Sequence, residues 1–278
     1  MKNKIISIII TISLMIFSFI FISKSKEIVK NIDPIMDNIN KVKDKYEVKP
    51  QDAYIKEDTI IPGVSGKIID KNISYSKMKK YGAFNESFIT IKKEKPNISI
   101  DNNYDKYIVS GNKSIKKVSL IFYIEDISDL KIITNYLNTE HLSGTILLNS
   151  NLLDSNEEYI STLKQYEIEL YLDDLNDINL SQYSNYLYSI TNNKNKFCIL
   201  EEKDKEKLDI CRRHNMHTII PNIVLSNNPT INIKKNISNG SIILINITND
   251  ILKELDYIVN YIEGKGYTIT SLNRLLVE

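Results

Sequence analysis

From residue 117 onward, short apolar runs alternate with stretches of helical spacing. The runs are VSLIFYI (118–124), GTILLN (144–149), EIELYL (167–172), KFCIL (196–200), HTIIPNIV (217–224) and SIILINI (241–247). Between them, 129–138, 157–166, 204–214 and 250–263 place apolar residues three and four apart, which is the period of a helix with one buried face. Strands that are apolar throughout are buried on both faces, and strands separated by helices pair in parallel. The pattern therefore predicts an α/β fold, with any ligand chemistry at the carboxyl ends of the strands.

Composition narrows the functional classes. The chain has 36 basic and 35 acidic residues among 278, a net charge of +1. No global field for nucleic acid follows from that balance, since such a field needs concentrated Lys and Arg. Two Cys cannot build a disulfide framework, and with three His a zinc-finger array is excluded. Ala occurs only at Ala53 and Ala83, a bias of the kind an AT-rich genome imposes, so the abundance of Ile and Asn carries little weight.

Residues 5–23 read IISIIITISLMIFSFIFIS without a charge, flanked by Lys2 and Lys4 before and by Lys24 and Lys26 after. Such a run rises about 28 Å as a helix, close to the hydrocarbon thickness of a bilayer. The sequence predicts one N-terminal transmembrane anchor over 1–26, a single-pass location in the cell membrane and an extracytoplasmic C-terminal region. A cleaved signal peptide is the alternative, with Ser23-Lys24-Ser25 a poor cleavage site.

Ile28, Ile32, Ile35, Ile39, Val42 and Tyr46 form one helical stripe within 27–52, interrupted at Asp33-Pro34, where a new helix with an Asp cap is expected. An amphipathic helix lying on its own domain or on the membrane is predicted, and a dimerising stalk through 27–46 is the alternative. Residues 53–116 read as a small α+β lead-in module, with turn chemistry at Ile61–Gly66 and a helix over 72–81 that stops at Gly82. Tyr104 and Tyr107 are expected to be packing residues, with sugar stacking the alternative.

The last forty residues are the most specific stretch. Gly240-Ser241, Ile243-Leu244, Thr248, Lys265-Gly266-Tyr267 and the run Ser271–Leu276 follow the layout that closes a polysaccharide deacetylase domain. Lys116–Phe122 is similar to that domain's first strand, and Thr145-Ile146-Leu147 falls where its next strand would. The sequence from 117 to 278 thus resembles the polysaccharide deacetylases (NodB-homology domain, carbohydrate esterase family four). The resemblance implies a distorted (β/α) barrel, N-deacetylation of glycan and a divalent metal such as zinc.

The family's functional residues are not carried by the matching positions. Where its first motif supplies a catalytic Asp and a metal-ligating Asp, an ungapped reading finds Tyr123 and Ile124; a two-residue slip would offer Glu125 and Asp126. A tyrosine with a pKa of about 10 is a poor base at neutral pH, and Ile ligates nothing. The stretch matching the two-His motif runs from Asp173 to Asp177, the Arg-containing third motif is replaced by Cys198–Glu202, and the closing His has become Asn246. Asn donates hydrogen bonds but does not shuttle protons.

The remaining candidates are weak. Asp173 and Asp177 would suit a hard cation if they converged, and otherwise form a solvated loop capping the next helix. His214 and His217 straddle a helix end and a strand start, where a His is favoured by the helix dipole; His141 precedes a turn. Cys198 and Cys211 are expected to be buried thiols, although a bridge between them is open to geometry. The sequence therefore predicts a deacetylase-like protein acting at cell-wall glycan without the family's catalysis, binding or scaffolding rather than hydrolysing. The enzyme alternative is a relocated acidic site at Glu125, Asp126, Asp173 and Asp177; a third reading is a purely protein-binding envelope component.

Overall fold

The computed structural model describes residues 2–278, without the side chains of residues 2–9 and of Lys26. Among the described residues the strands are, in chain order, β1 (Tyr54–Lys56), β2 (Thr59–Ile61), β3 (Gly66–Ile69), β4 (Ile91–Glu94), β5 (Tyr107–Ile108), β6 (Lys117–Ile124), β7 (Thr145–Asn149), β8 (Glu167–Tyr171), β9 (Phe197–Ile199), β10 (His217–Ile219), β11 (Ile223–Leu225), β12 (Ile242–Asn246) and β13 (Thr268–Thr270). Two compact units form, one of Met1–Pro50 with Ser65–Glu94 and the other of Gln51–Val64 with Lys95–Glu278.

In the first unit the chain restarts as a helix at Pro34, as the Asp33-Pro34 pair dictates. Asp33 accepts the Ile35 amide at 2.9 Å and is also held by Lys79 at 2.7 Å and by the Tyr75 hydroxyl at 2.9 Å. These donors, Lys79 foremost, bring its carboxyl down to about 2. The helix Pro34–Lys41 buries Ile35, Met36 and Ile39 against Ile69 on β3 and Met78 of the helix Lys71–Tyr81. Ile28 and Ile32, from the same stripe, remain exposed. Strands β3 and β4 pair antiparallel beside this core.

The transmembrane helix expected over residues 5–23 is not supported. A helix runs from Lys2 to Asn31, but among the described residues no helix is long and apolar enough to cross a membrane. Lys24, Glu27 and Lys30 follow in the same helix. Residues 5–9 of the expected span lie outside the described side chains. The single-pass membrane location loses its support with it.

The second unit carries the strand–helix alternation. One sheet runs in the order β11-β12-β6-β7-β8 with β13 also on β6, and all its pairings are parallel. A second sheet, β1-β2-β5-β10-β9, is parallel except at β1/β2. Side chains alternate along each strand. Leu120, Phe122 and Ile124 of β6, Ile146 and Leu148 of β7, and Ile243 and Ile245 of β12 pack with the helices Ile127–Thr139 and Asn249–Gly264. The opposite parity gives an inner core of Ile121, Leu147, Phe197, Ile199, Ile219, Ile242 and Leu244, closed below by Leu272, Leu275 and Leu276.

The ring of strands is interrupted twice. The run 217–224, expected as one strand, divides into β10 and β11 on different sheets, because Pro221 between them has no amide to donate. Between β8 and β9 side chains replace strand pairing. Leu170 donates its amide to Asn195 Oδ1 at 3.1 Å, while Lys196 and Phe197 donate theirs to Glu169 Oε2 at 2.7 and 2.9 Å.

Cys198 of β9 and Cys211 of the helix Lys205–Arg213 are bridged, contrary to the expectation of free thiols. Their Cα atoms lie 6.3 Å apart, within the span a disulfide accommodates.

Candidate functional site

The inner parity of β6, β7, β8 and β12 ends at one mouth with Tyr123, Asn149, Tyr171 and Asn246. Tyr123 is paired across the ladder with Asn246, and Asn149 with Tyr171. Just beyond the strand ends come Glu125, Asn151 and Asp173.

The mouth is a network of neutral donors around two carboxylates. The Tyr123 hydroxyl donates to Glu125 Oε1 at 2.8 Å. Asn149 Nδ2 reaches both the Tyr123 hydroxyl and Asp173 Oδ1 at 3.4 Å, and Asn151 Nδ2 donates to Asp173 Oδ2 at 3.0 Å. The Tyr123 and Tyr171 rings meet edge to face, centroids 4.9 Å apart. Burial first, then the Glu125 carboxylate, pushes the Tyr123 phenol well above its ordinary range, with Asn149 opposing. The phenol is thus a permanent donor at neutral pH and no base. Burial likewise raises Tyr171, helped by Asp173, Glu201 and Glu125. Asn246 keeps a buried Oδ1 with no donor. A cleft of about 260 Å³ opens beside the mouth, walled in part by Tyr171, Leu200, Glu201 and Lys207.

The positions singled out from the sequence disperse. Ile124 is fully buried among the outer-layer residues and does not face the mouth. Asp126 caps the helix Ile127–Thr139, accepting the Ser128 amide at 2.7 Å and the Ser128 hydroxyl; those bonds lower its pKa. Asp177 begins the helix Asp177–Thr191 and is taken by Arg213, with contacts of 3.1 and 2.6 Å, and by His214 at 3.1 Å. Arg213 is the main reason its pKa falls. Cys198 is in the disulfide. Only Tyr123, Glu125, Asp173 and Asn246 reach the mouth.

Neither do the histidines converge. His214 is on Asp177, and His217 is buried with its ring stacked on Tyr104 at 4.2 Å, its pKa lowered by burial. Tyr107 is buried, as expected of a packing residue, whereas Tyr104 is half-buried and lines a cleft. Among the described residues no three His, Cys, Asp or Glu side chains group as they would around a metal ion. The family's zinc would find amides, phenols and two separately engaged carboxylates here, a set that does not fit a borderline-soft cation wanting imidazole.

Asn149, Asn151 and Tyr171 were not singled out from the sequence. The signal was in the period of two: Asn149 and Tyr171 each end a strand on the parity of its inward residues.

No family model matches the chain. The chain is 22% identical over 274 residues to the uncharacterized protein YlxY of Bacillus subtilis, covering 88% of this chain and 84% of that one. Its structure is similar to that of a carbohydrate esterase family 4 pseudoenzyme of Bacillus anthracis, BA3943, at a TM-score of 0.67 and 20% identity, over 88% of this chain and 96% of that one. It is also similar to Bacillus subtilis PdaA, a family 4 carbohydrate esterase, at a TM-score of 0.52 and 16% identity, over 63% and 86%. The α/β chain described here carries the fold of the carbohydrate esterase family 4 polysaccharide deacetylases, a fold that a pseudoenzyme shares.

Proposed function

We propose that this protein binds cell-wall glycan, of the peptidoglycan type, at the mouth of the barrel and does not deacetylate it. The observation that carries this reading is the Tyr123–Asn149–Asp173 network. Where deacetylation needs a free base and a metal, it offers a protonated phenol and two amides, groups suited to sugar hydroxyls and N-acetyl carbonyls, with the Glu125 and Asp173 carboxylates each engaged by them. The edge-to-face tyrosine pair adds the apolar surface that a pyranose ring packs against.

The test uses the full chain with N-acetylated peptidoglycan and chitooligosaccharides. Retention on the glycan, weakened by Tyr171→Ala, with no acetate released in the presence of Zn²⁺, Co²⁺ or Mg²⁺, supports the reading. Metal-dependent acetate release that Asp173→Asn removes would overturn it in favour of a hydrolase built on relocated carboxylates.

A further inference from the structure

At the opposite end of the barrel from the mouth, a cleft of about 660 Å³ lies below the starts of β7, β8 and β9. Its volume is in the range of ligand sites. Four cations line it: Lys164 before β8, Lys194 and Lys196 before β9, and Arg274 after β13. All four are exposed, and none forms an ion pair with an acid among the described residues.

Two acids also line the cleft, and both are occupied. Glu167 accepts the Thr145 hydroxyl at 2.8 Å and the Asn273 amide at 2.9 Å. Glu169 is buried and holds the Lys196 and Phe197 amides. The free charge of the cleft is therefore positive, while the chain as a whole carries only +1. A second feature has the same sign: the Asn193 amide nitrogen in this wall is a buried donor without an acceptor. A ligand oxygen would satisfy it.

The rest of the lining separates two kinds of polyanion. Single-stranded nucleic acid is held by a row of aromatic platforms under the bases, whereas among the described residues lining this cleft the rings are Tyr166, whose hydroxyl is spent on the Thr134 carbonyl at 2.9 Å, and His141. The uncharged wall is mainly amide, including Asn138, Gln165 and Asn192, groups that donate to and accept from hydroxyls. A second cleft, of about 410 Å³, shares Lys194, Lys196 and Asn273 with the first; its acids are engaged, Asp101 by Lys95 at 2.8 Å and Glu278 by the Gly63 and Ile100 amides at 2.6 and 3.1 Å, and its Tyr104 ring is stacked on His217, so the basic surface continues beyond the first cleft.

We propose that this basic, amide-walled cleft binds a polyhydroxylated anionic chain, its charge carried by phosphodiester or carboxylate groups. The site stands apart from the mouth, and its existence does not depend on the reading given to the mouth.

The test titrates the full chain with labelled glycerol phosphate polymer, polygalacturonate, neutral chitooligosaccharide and a single-stranded DNA oligonucleotide. Either anionic polyol or sugar chain should bind, weakening about tenfold or more between about 50 and about 200 mM salt as counterions are retained. The preference between the two identifies the anion. The variant combining Lys164→Gln, Lys194→Gln and Arg274→Gln should lose at least about tenfold in affinity, and so should the single rim change Asn138→Glu, which leaves every cation in place. Tyr171→Ala should leave this binding unchanged. Absence of binding by both anionic chains, equal binding by the triple variant, or tighter binding of the oligonucleotide would each overturn the proposal.

Discussion

Glu169 Oε2 on β8 accepts the amide of Phe197 on β9 at 2.9 Å, so a carboxyl group closes a seam that backbone pairing leaves open. The same oxygen holds the Lys196 amide. Replacing Glu169 by Leu should cost about 1–3 kcal/mol for each amide left without an acceptor, read as a lower urea midpoint.

The same residue sets a pH dependence of unusual sign. Burial raises the Glu169 carboxyl well above its ordinary 4.5, although the two amides oppose the shift. The folded state thus holds the proton more tightly than the unfolded state does. This contribution to stability is complete below the ordinary value and is lost as pH rises toward the raised one. Glu169→Gln keeps an acceptor and has no proton to lose. Its stability profile above pH 4.5 should be flatter than that of the parent; parallel profiles would refute the assignment.

The Cys198–Cys211 bridge closes a short loop, with a sequence separation of 13. Loop-closure entropy puts its contribution at about 3 kcal/mol, which corresponds to roughly 6–12 °C in a domain of this size. Calorimetry with and without reductant, with Cys211→Ala as the control that should not respond, measures it.

Gly240 and Gly82 are both left-handed, with φ of 78° and 92°. A Cβ at Gly240 would lie 2.3 Å from the Gly111 carbonyl oxygen, whereas one at Gly82 would meet nothing within 4 Å. Gly82→Ala should therefore cost about 1–2 kcal/mol, the left-handed penalty alone. Gly240→Ala should cost more, because the Gly111–Gly240 hydrogen bond of 2.8 Å must also shift. Chemical denaturation of the two variants gives the comparison.

At the mouth, Tyr123→Phe removes the hydroxyl that Glu125 accepts and Asn149 reaches. Glycan affinity should fall by about 0.5–1.5 kcal/mol, roughly two- to tenfold. Asp177→Asn, on the far side of its helix start with Arg213, should leave glycan affinity unchanged in the same titration.

The alternation after residue 117 made most of the second unit readable, because strands apolar on both faces have few alternatives. Other features depend on geometry that sequence spacing does not hold. Pro221 sits inside an apolar run whose composition is that of a single strand, yet its missing amide sends the two halves to different sheets. Asp173 and Asp177, four apart, suggest a pair; a helix start intervenes, and Arg213 draws the second away. Asn149 and Tyr171 enter the mouth through strand parity, which becomes visible once the register of each strand is fixed. The uncharged N-terminal run shows the reverse: a strong pattern in the sequence finds no spanning helix among the described residues.

Strand β6 lies at the centre of its sheet, with β7 on one side and β12 on the other, and Ile242 of β12 pairs with Ser119. The second partner is therefore made roughly 120 residues after the first strand leaves the ribosome. Until then β6 presents an unpaired apolar edge, the kind of surface on which nascent chains associate wrongly. Non-local closure of this kind also slows folding, so the completion of the sheet waits on the last quarter of the chain.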